Sequence, residues 1–148
     1  MPSPMTRTHT PGTFSGPSTG DHLDTPVREI MTPGVLTIAE DASLRHAYRA
    51  MVAHSVHALL VVGRKEGRPL GWVTARGLLA LIGRDDSLAS TREAITERPT
   101  TIEPSATARE ALTALCQAGV SHLLVARNPE VSPEGVLAAI DLIALEGA

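Results

Sequence analysis

Val56-His57-Ala58-Leu59-Leu60-Val61 and Val120-Ser121-His122-Leu123-Leu124-Val125 are two versions of one six-residue run, 64 positions apart. Each ends in a continuous apolar stretch, Ala58–Val62 in the first case and His122–Ala126 in the second, as expected of a strand buried on both faces. Working outward, the same offset aligns Arg28-Glu29 with Arg92-Glu93, Thr32 with Thr96, Thr37-Ile38 with Thr101-Ile102, and Gly71 with Gly135. Without a gap, 21 of the 57 positions from 28–84 match 92–148; chance pairing in this composition gives roughly five. The chain is therefore an internal duplication. Two copies are too few, and the period too long, for an open solenoid. Packing about a pseudo-twofold axis is the expected arrangement.

Both copies share one grammar. A short extended segment (Val35–Ile38, Pro99–Ile102) precedes a helix at about 43–54 and 107–118. Leu44, Ala47, Tyr48, Met51 and Val52, and then Ala108, Ala111, Leu112, Leu115 and Cys116, fall at i, i+3, i+4, i+7 and i+8. That spacing predicts one buried helical stripe, with Cys116 inside it. Thr107 with Glu110 forms a capping box, and Gly119 is placed to stop the helix. After the apolar strand, a polar turn containing Pro69 or Pro133 leads to a second strand at Gly71–Thr74 and Gly135–Ala138. A last helix follows at about 75–82 and 139–146. The fold class is α+β, with each copy running β-α-β-β-α. The expected layout is a disordered tail over 1–25, repeat 1 over 26–84, a polar linker over 85–91 and repeat 2 over 92–148.

Composition narrows function. Hydrophobic residues make up 43% of the 148 and charged residues 20%, yet Phe14, Tyr48 and Trp72 are the only aromatics. Base-stacking on repeated rings and aromatic cages for cations are both excluded. A net charge of −3 gives no field to gather nucleic acid. The single cysteine, Cys116, rules out an intrachain disulfide and a cysteine-rich zinc site. No apolar run is long enough to span a bilayer, and the Pro-, Ser- and Thr-rich start does not read as a signal peptide, so the expectation is a cytoplasmic protein without membrane partners. Of the six histidines, His9 and His22 lie in the tail, and His46 and His54 are separated by about 12 Å of helix. No metal site is expected. Neither a nucleophile–base arrangement nor a Gly-rich phosphate loop stands out, and no catalysis is expected.

Tandem β-α-β-β-α units, a Val-x-x-Leu-x-Val lead-in and a Gly-h-h-[Ser/Thr]-x-x-Asp ending resemble a pair of cystathionine-β-synthase (CBS) domains, the Bateman module. The resemblance runs from about Val27 to the C-terminus. It implies a stand-alone regulatory module that takes an adenosine-containing ligand, such as AMP, ADP, ATP or S-adenosylmethionine, in clefts between the repeats. It also implies a homodimer that signals to a protein partner whose identity is open. In that pattern the glycine lets backbone approach the ligand, the hydroxyl and helix start suit a phosphate, and the carboxylate accepts the ribose hydroxyls.

Both endings depart from the pattern. Gly71-Trp72-Val73-Thr74-Ala75-Arg76-Gly77 keeps the hydroxyl and loses the carboxylate. Gly135-Val136-Leu137-Ala138-Ala139-Ile140-Asp141 keeps the carboxylate and loses the hydroxyl. By the resemblance, Asp141 faces Thr32, Leu36, Val56, His57 and Ala58. Thr74 and Arg76 face Thr96, Thr100, Val120, Ser121 and His122, with Trp72 reporting on that second cleft. The Asp141 cleft is the expected nucleoside site, because ribose recognition rests on the carboxylate. Bland readings stand beside these: Asp141 as a helix cap, Thr74 as a strand residue, Arg76 as a solvated side chain, and His57 and His122 as hydrogen-bonded structural histidines. The alternative function is a degenerate pair with empty clefts, acting in dimerisation or protein interaction.

Overall fold

A computed structural model describes residues 21–65, 67–84, 89–128 and 133–147. The strands are β1 (Thr32–Pro33), β2 (Thr37–Ala39), β3 (Ala58–Val62), β4 (Pro69–Thr74), β5 (Thr101–Ile102), β6 (His122–Val125) and β7 (Gly135–Ala138). The helices are α1 (Leu44–His54), α2 (Ala75–Leu79), α3 (Ala108–Ala118) and α4 (Ala139–Glu146). Two sheets result, ordered β2-β3-β4 and β1-β7-β6-β5. Within each copy the first strand pairs parallel with the apolar strand (β2 with β3, β5 with β6), which pairs antiparallel with the next (β3 with β4, β6 with β7). The α+β expectation and the order of elements hold.

The apolar strands alternate between two layers, as side chains two residues apart must. Leu59, Val61 and Val73 pack on α1 and α2 with Leu44, Ala47 and Met51. Leu123, Val125 and Leu137 pack on α3 and α4 with Ala108, Ala111 and Leu115. The opposite faces meet in the middle, where Leu60 and Trp72 of one sheet touch Leu124 of the other. Burying a side chain of this size is worth about 1.5–3 kcal/mol, so the three-layer stack ties the repeats together.

Capping is legible throughout. Ser43 and Thr107 accept the amides of His46 and Glu110, and Glu110 reaches back to the Thr107 amide at 2.8 Å. Gly119 ends α3 in the left-handed conformation, as expected. The α1 counterpart of that position is Ser55, also left-handed with φ of 54°.

Four expectations need correcting. The helical stripe is narrower than the apolar spacing suggests: Val52 is 81% exposed and Leu112 44%, and Cys116 is exposed rather than buried. The i, i+3 and i+7 positions are buried and Tyr48 is partly packed on the first core, whereas the i+8 positions Val52 and Cys116 are exposed. α2 stops at Leu79 instead of about residue 82. Residues 21–25, assigned by composition to the tail, form a 3-10 turn over Asp21–Asp24 against α3, with the Ala108 amide donating to the Thr25 carbonyl; the rest of the tail lies outside the described residues. Likewise, Ser90 and Thr91 at the end of the 85–91 segment are built into the fold, and Thr91 is fully buried.

What the sequence did not show is that the two copies exchange their leading segments. The Val27 amide donates to Ala106 of the other copy, and Val27 is fully buried in that copy's core. At the equivalent place, the Thr91 amide donates to Ala42. β1 pairs antiparallel with β7, Thr32 opposite Val136. Its counterpart, Thr96–Glu97, lies along β4: the Trp72 amide donates to the Glu97 carbonyl and the Thr96 amide to the Trp72 carbonyl, at 2.8 and 3.0 Å. Each half of the molecule is thus completed by the start of the other repeat.

Candidate functional site

Gly71 and Gly135 are where this exchange is decided. A Cβ on Gly135 would sit 2.5 Å from the Thr32 carbonyl oxygen and 2.8 Å from Met31 Sδ. On Gly71 it would sit 2.4 Å from Ile95 Cγ2 and 2.8 Å from the Glu97 carbonyl oxygen. Met31 and Ile95 are themselves repeat equivalents. These glycines therefore make room for the crossing segment of the other repeat, which corrects the expectation that they admit a ligand.

Because β1 lies against β7, the end of β7 and the start of α4 come to face the repeat 1 lead-in. The result is an open cleft of about 730 Å³. From the second copy it takes Asp141, Ala138–Ile140, Val136, Ser121 and His122; from the first it takes Thr32–Leu36, His54, Val56–Ala58 and Trp72. All six residues expected around the Asp141 site (Asp141, Thr32, Leu36, Val56, His57 and Ala58) line this one space. Asp141 also caps its helix, Oδ2 accepting the Ala138 amide at 2.8 Å, while Oδ1 carries no hydrogen bond among the described residues. The two readings of Asp141 are compatible.

The residues expected in the second cleft separate. Ser121 and His122 line the Asp141 cleft instead. Thr74 Oγ1 accepts the Gly77 amide at 3.0 Å as the cap of α2, and stands 3.5 Å from Thr96 Oγ1. The Thr96 methyl closes on the position a carboxylate would need: a Cβ on Gly77 would be 2.9 Å from it. Thr100 accepts the Leu124 amide through its carbonyl, Val120 packs on the second core, and Arg76 is exposed. Trp72 belongs to the Asp141 cleft, correcting the expectation that it reports on the other. It follows the same alternation as Leu60 and points between the sheets, which was readable from the pairing of Trp72 with Leu60 once register was known.

Behind Ser121 and His122 lies Glu97, which the sequence did not single out. Its carboxylate accepts the Ser121 amide at 3.0 Å and the Ser121 hydroxyl at 2.7 Å. Ser121 Oγ is also 2.9 Å from His122 Nδ1. The single hydroxyl proton is directed to Glu97, so Nδ1 carries the hydrogen of that second contact. The His122 ring lies 5.2 Å from the Trp72 ring, tilted by 35°. Burial pushes the His122 imidazole below the ordinary histidine value, against the opposing pull of the Glu97 and Asp141 carboxylates. The repeat counterpart of Glu97 is Pro33, which has no group to offer, so no sequence signal pointed to this contact.

Among the described residues, no group of three or more His, Cys, Asp or Glu side chains is placed to hold a metal ion. No described helix is long and apolar enough to cross a membrane.

Residues 27–84 match the CBS domain family. No curated protein matches the sequence. Among solved structures, the CBS domain of a bacterial CNNM/CorC family Mg2+ transporter in complex with ATP is 24% identical with a TM-score of 0.72, over 86% of this chain and 90% of its own. A CBS domain protein from Pyrobaculum aerophilum complexed with AMP is 19% identical with a TM-score of 0.68, over 83% and 99%. A CBS-domain containing protein from Agrobacterium tumefaciens is 22% identical with a TM-score of 0.70, over 83% and 94%. At these identities the likeness is one of fold. Residues 27–84 thus belong with the CBS domain family, and the chain as a whole shares the fold of CBS-domain proteins.

Proposed function

We propose that the chain is a regulatory CBS pair, a Bateman module, which binds an adenosine-containing ligand in the Asp141 cleft and passes occupancy to a protein partner. The observation that carries this reading is the convergence of Asp141 from one repeat with Thr32, Leu36 and Val56–Ala58 from the other in a single space. A carboxylate with a free oxygen can accept both hydroxyls of a ribose. The aliphatic walls and the Trp72 ring suit a base, and the volume lies in the usual range for small-molecule sites. ATP and AMP in the similar structures favour the same ligand class. Because the cleft is built from both repeats, a ligand there bridges them and changes their mutual packing, which is what a sensor needs.

Homodimerisation belongs to the same reading. Val52, Leu79, Leu112 and Ile143 are 81%, 62%, 44% and 62% exposed on the four helices, and apolar side chains on that scale favour burial against a second copy. The chain then works in the cytoplasm without catalysing a reaction. A second reading, a dimerisation or protein-interaction module with empty clefts, draws on the carboxylate missing at Gly77 and the hydroxyl missing at Ala138.

A thermal-shift panel of AMP, ADP, ATP, S-adenosylmethionine, NAD and cyclic dinucleotides separates the two. A ligand held only by the native state must raise the melting temperature. At least one adenosine compound is expected to do so; no shift at millimolar concentration across the panel would leave the interaction reading.

A further inference from the structure

The charge around the cleft points to a narrower ligand class. Asp141 is its one carboxylate, and no Lys or Arg is among its lining residues. The described residues include every Lys and Arg of the chain except Arg7, and none of these reaches the cleft wall. The repeat equivalents make the point sharper. Arg76 and Arg98 correspond by the 64-residue offset to Ile140 and Gly34, and both of the latter line the Asp141 cleft. Two positions that hold arginine in one copy therefore hold isoleucine and glycine where they line the Asp141 cleft.

At the start of α4 two backbone amides are already engaged. Its Ala138 amide is bound by Asp141 and its Ala139 amide donates to the Ser121 carbonyl at 2.9 Å. The Asp141 carboxylate already supplies the negative charge that a helix start favours. A phosphate brought alongside would meet a like charge with no cation to offset it. The other titratable side chains on the wall are His54, His57 and His122, with Glu97 behind the last. Of these, His122 is held toward its neutral form by burial.

We propose that the Asp141 cleft selects nucleosides without a phosphate chain, neutral or cationic in their 5′ group, over nucleoside polyphosphates. This rests on the nucleoside reading of the cleft and specifies its ligand.

Isothermal titration of the full chain with adenosine, S-adenosylmethionine, AMP and ATP tests it, in magnesium-free buffer at pH 8, above the ordinary histidine range. Adenosine and S-adenosylmethionine are expected to bind, AMP about three-fold more weakly than adenosine, and ATP at least about ten-fold more weakly. Raising the salt should narrow the gap between adenosine and ATP. Asp141→Asn, which keeps an oxygen for the Ala138 amide, should weaken adenosine and bring the two affinities together. ATP binding as tightly as adenosine overturns the inference while leaving the nucleoside site intact. A gap unchanged by salt and by Asp141→Asn also overturns it, because selection would then be steric. If none of the four binds, the nucleoside reading itself falls and this inference falls with it.

Discussion

At the end of β7 the chain carries Ala138 and Asp141; at the end of β4 it carries Thr74 and Gly77. These are equivalent positions in two copies of one unit, and they have gone opposite ways. Asp141 opens onto a cleft lined by both repeats, whereas Gly77 lies under the Thr96 methyl and Thr74 spends its hydroxyl on the Gly77 amide. The same divergence runs behind the sites. Glu97 satisfies Ser121 in one half, and Pro33 offers nothing in the other. Thr91 is buried with its hydroxyl donating to the Ala39 carbonyl at 2.5 Å, while its equivalent Val27 is buried as pure hydrocarbon. A duplicated fold keeps its twofold geometry where backbone crosses backbone, and spends its sequence freedom on side chains that line or fill the space between.

The largest expected effect lies in what the halves share. Gly135→Ala drives a methyl into the Thr32 carbonyl and should cost about 3 kcal/mol, read as a melting temperature lower by roughly 6–12 °C. Gly71→Ala should follow within about 1 kcal/mol of it. If either is neutral in urea or thermal unfolding, the exchanged segments are not held by that crossing.

Next comes the difference between the sites. Asp141→Ala should weaken any adenosine ligand at least about ten-fold, near 1.4 kcal/mol, while Thr74→Ala should stay within about two-fold. Equal losses in a titration would erase the distinction drawn between the two ends. Thr91→Val, which gives the first half the aliphatic side chain of the second, should destabilise by about 1 kcal/mol, because the bond from the Thr91 hydroxyl to the Ala39 carbonyl is lost. A stabilising result in denaturant unfolding would show that the carbonyl finds another donor.

The smallest expected effect is a pH dependence that belongs to one half alone. The His122 imidazole is depressed by burial, so the fold prefers it neutral. Stability from this group is complete above the ordinary histidine value of about 6.5, and is lost as pH falls through that value toward the depressed one. Wild type should lose more melting temperature between pH 7.5 and 5.5 than His122→Gln does. An identical loss would assign the dependence elsewhere, since the repeat counterpart of His122 is Ala58.

Much of this was legible beforehand because it is local. The 64-residue repeat, the period-two burial of Leu59–Val61 and Leu123–Val125, the Thr107–Glu110 box and the Gly119 stop follow from neighbours within a turn or a strand. Two kinds of feature were not. Val52, Leu112 and Cys116 were expected inside because spacing reports which face is apolar, not how much of that face the rest of the fold covers. Ser121, His122 and Trp72 were expected around the other site because strand register decides which side of a two-sheet stack a residue reaches.

From its residues alone the sequence determined that there are two β-α-β-β-α units, which strand faces are buried, and that one unit retains a carboxylate where the other has glycine. The tertiary structure alone decided that the leading segments trade places, that Gly71 and Gly135 serve that exchange, and that Asp141 looks into a cleft built from both repeats. The reason is physical. Periodicity and capping are set by residues a few positions apart, whereas the shape and charge of a cleft depend on which distant segments the chain brings against one another.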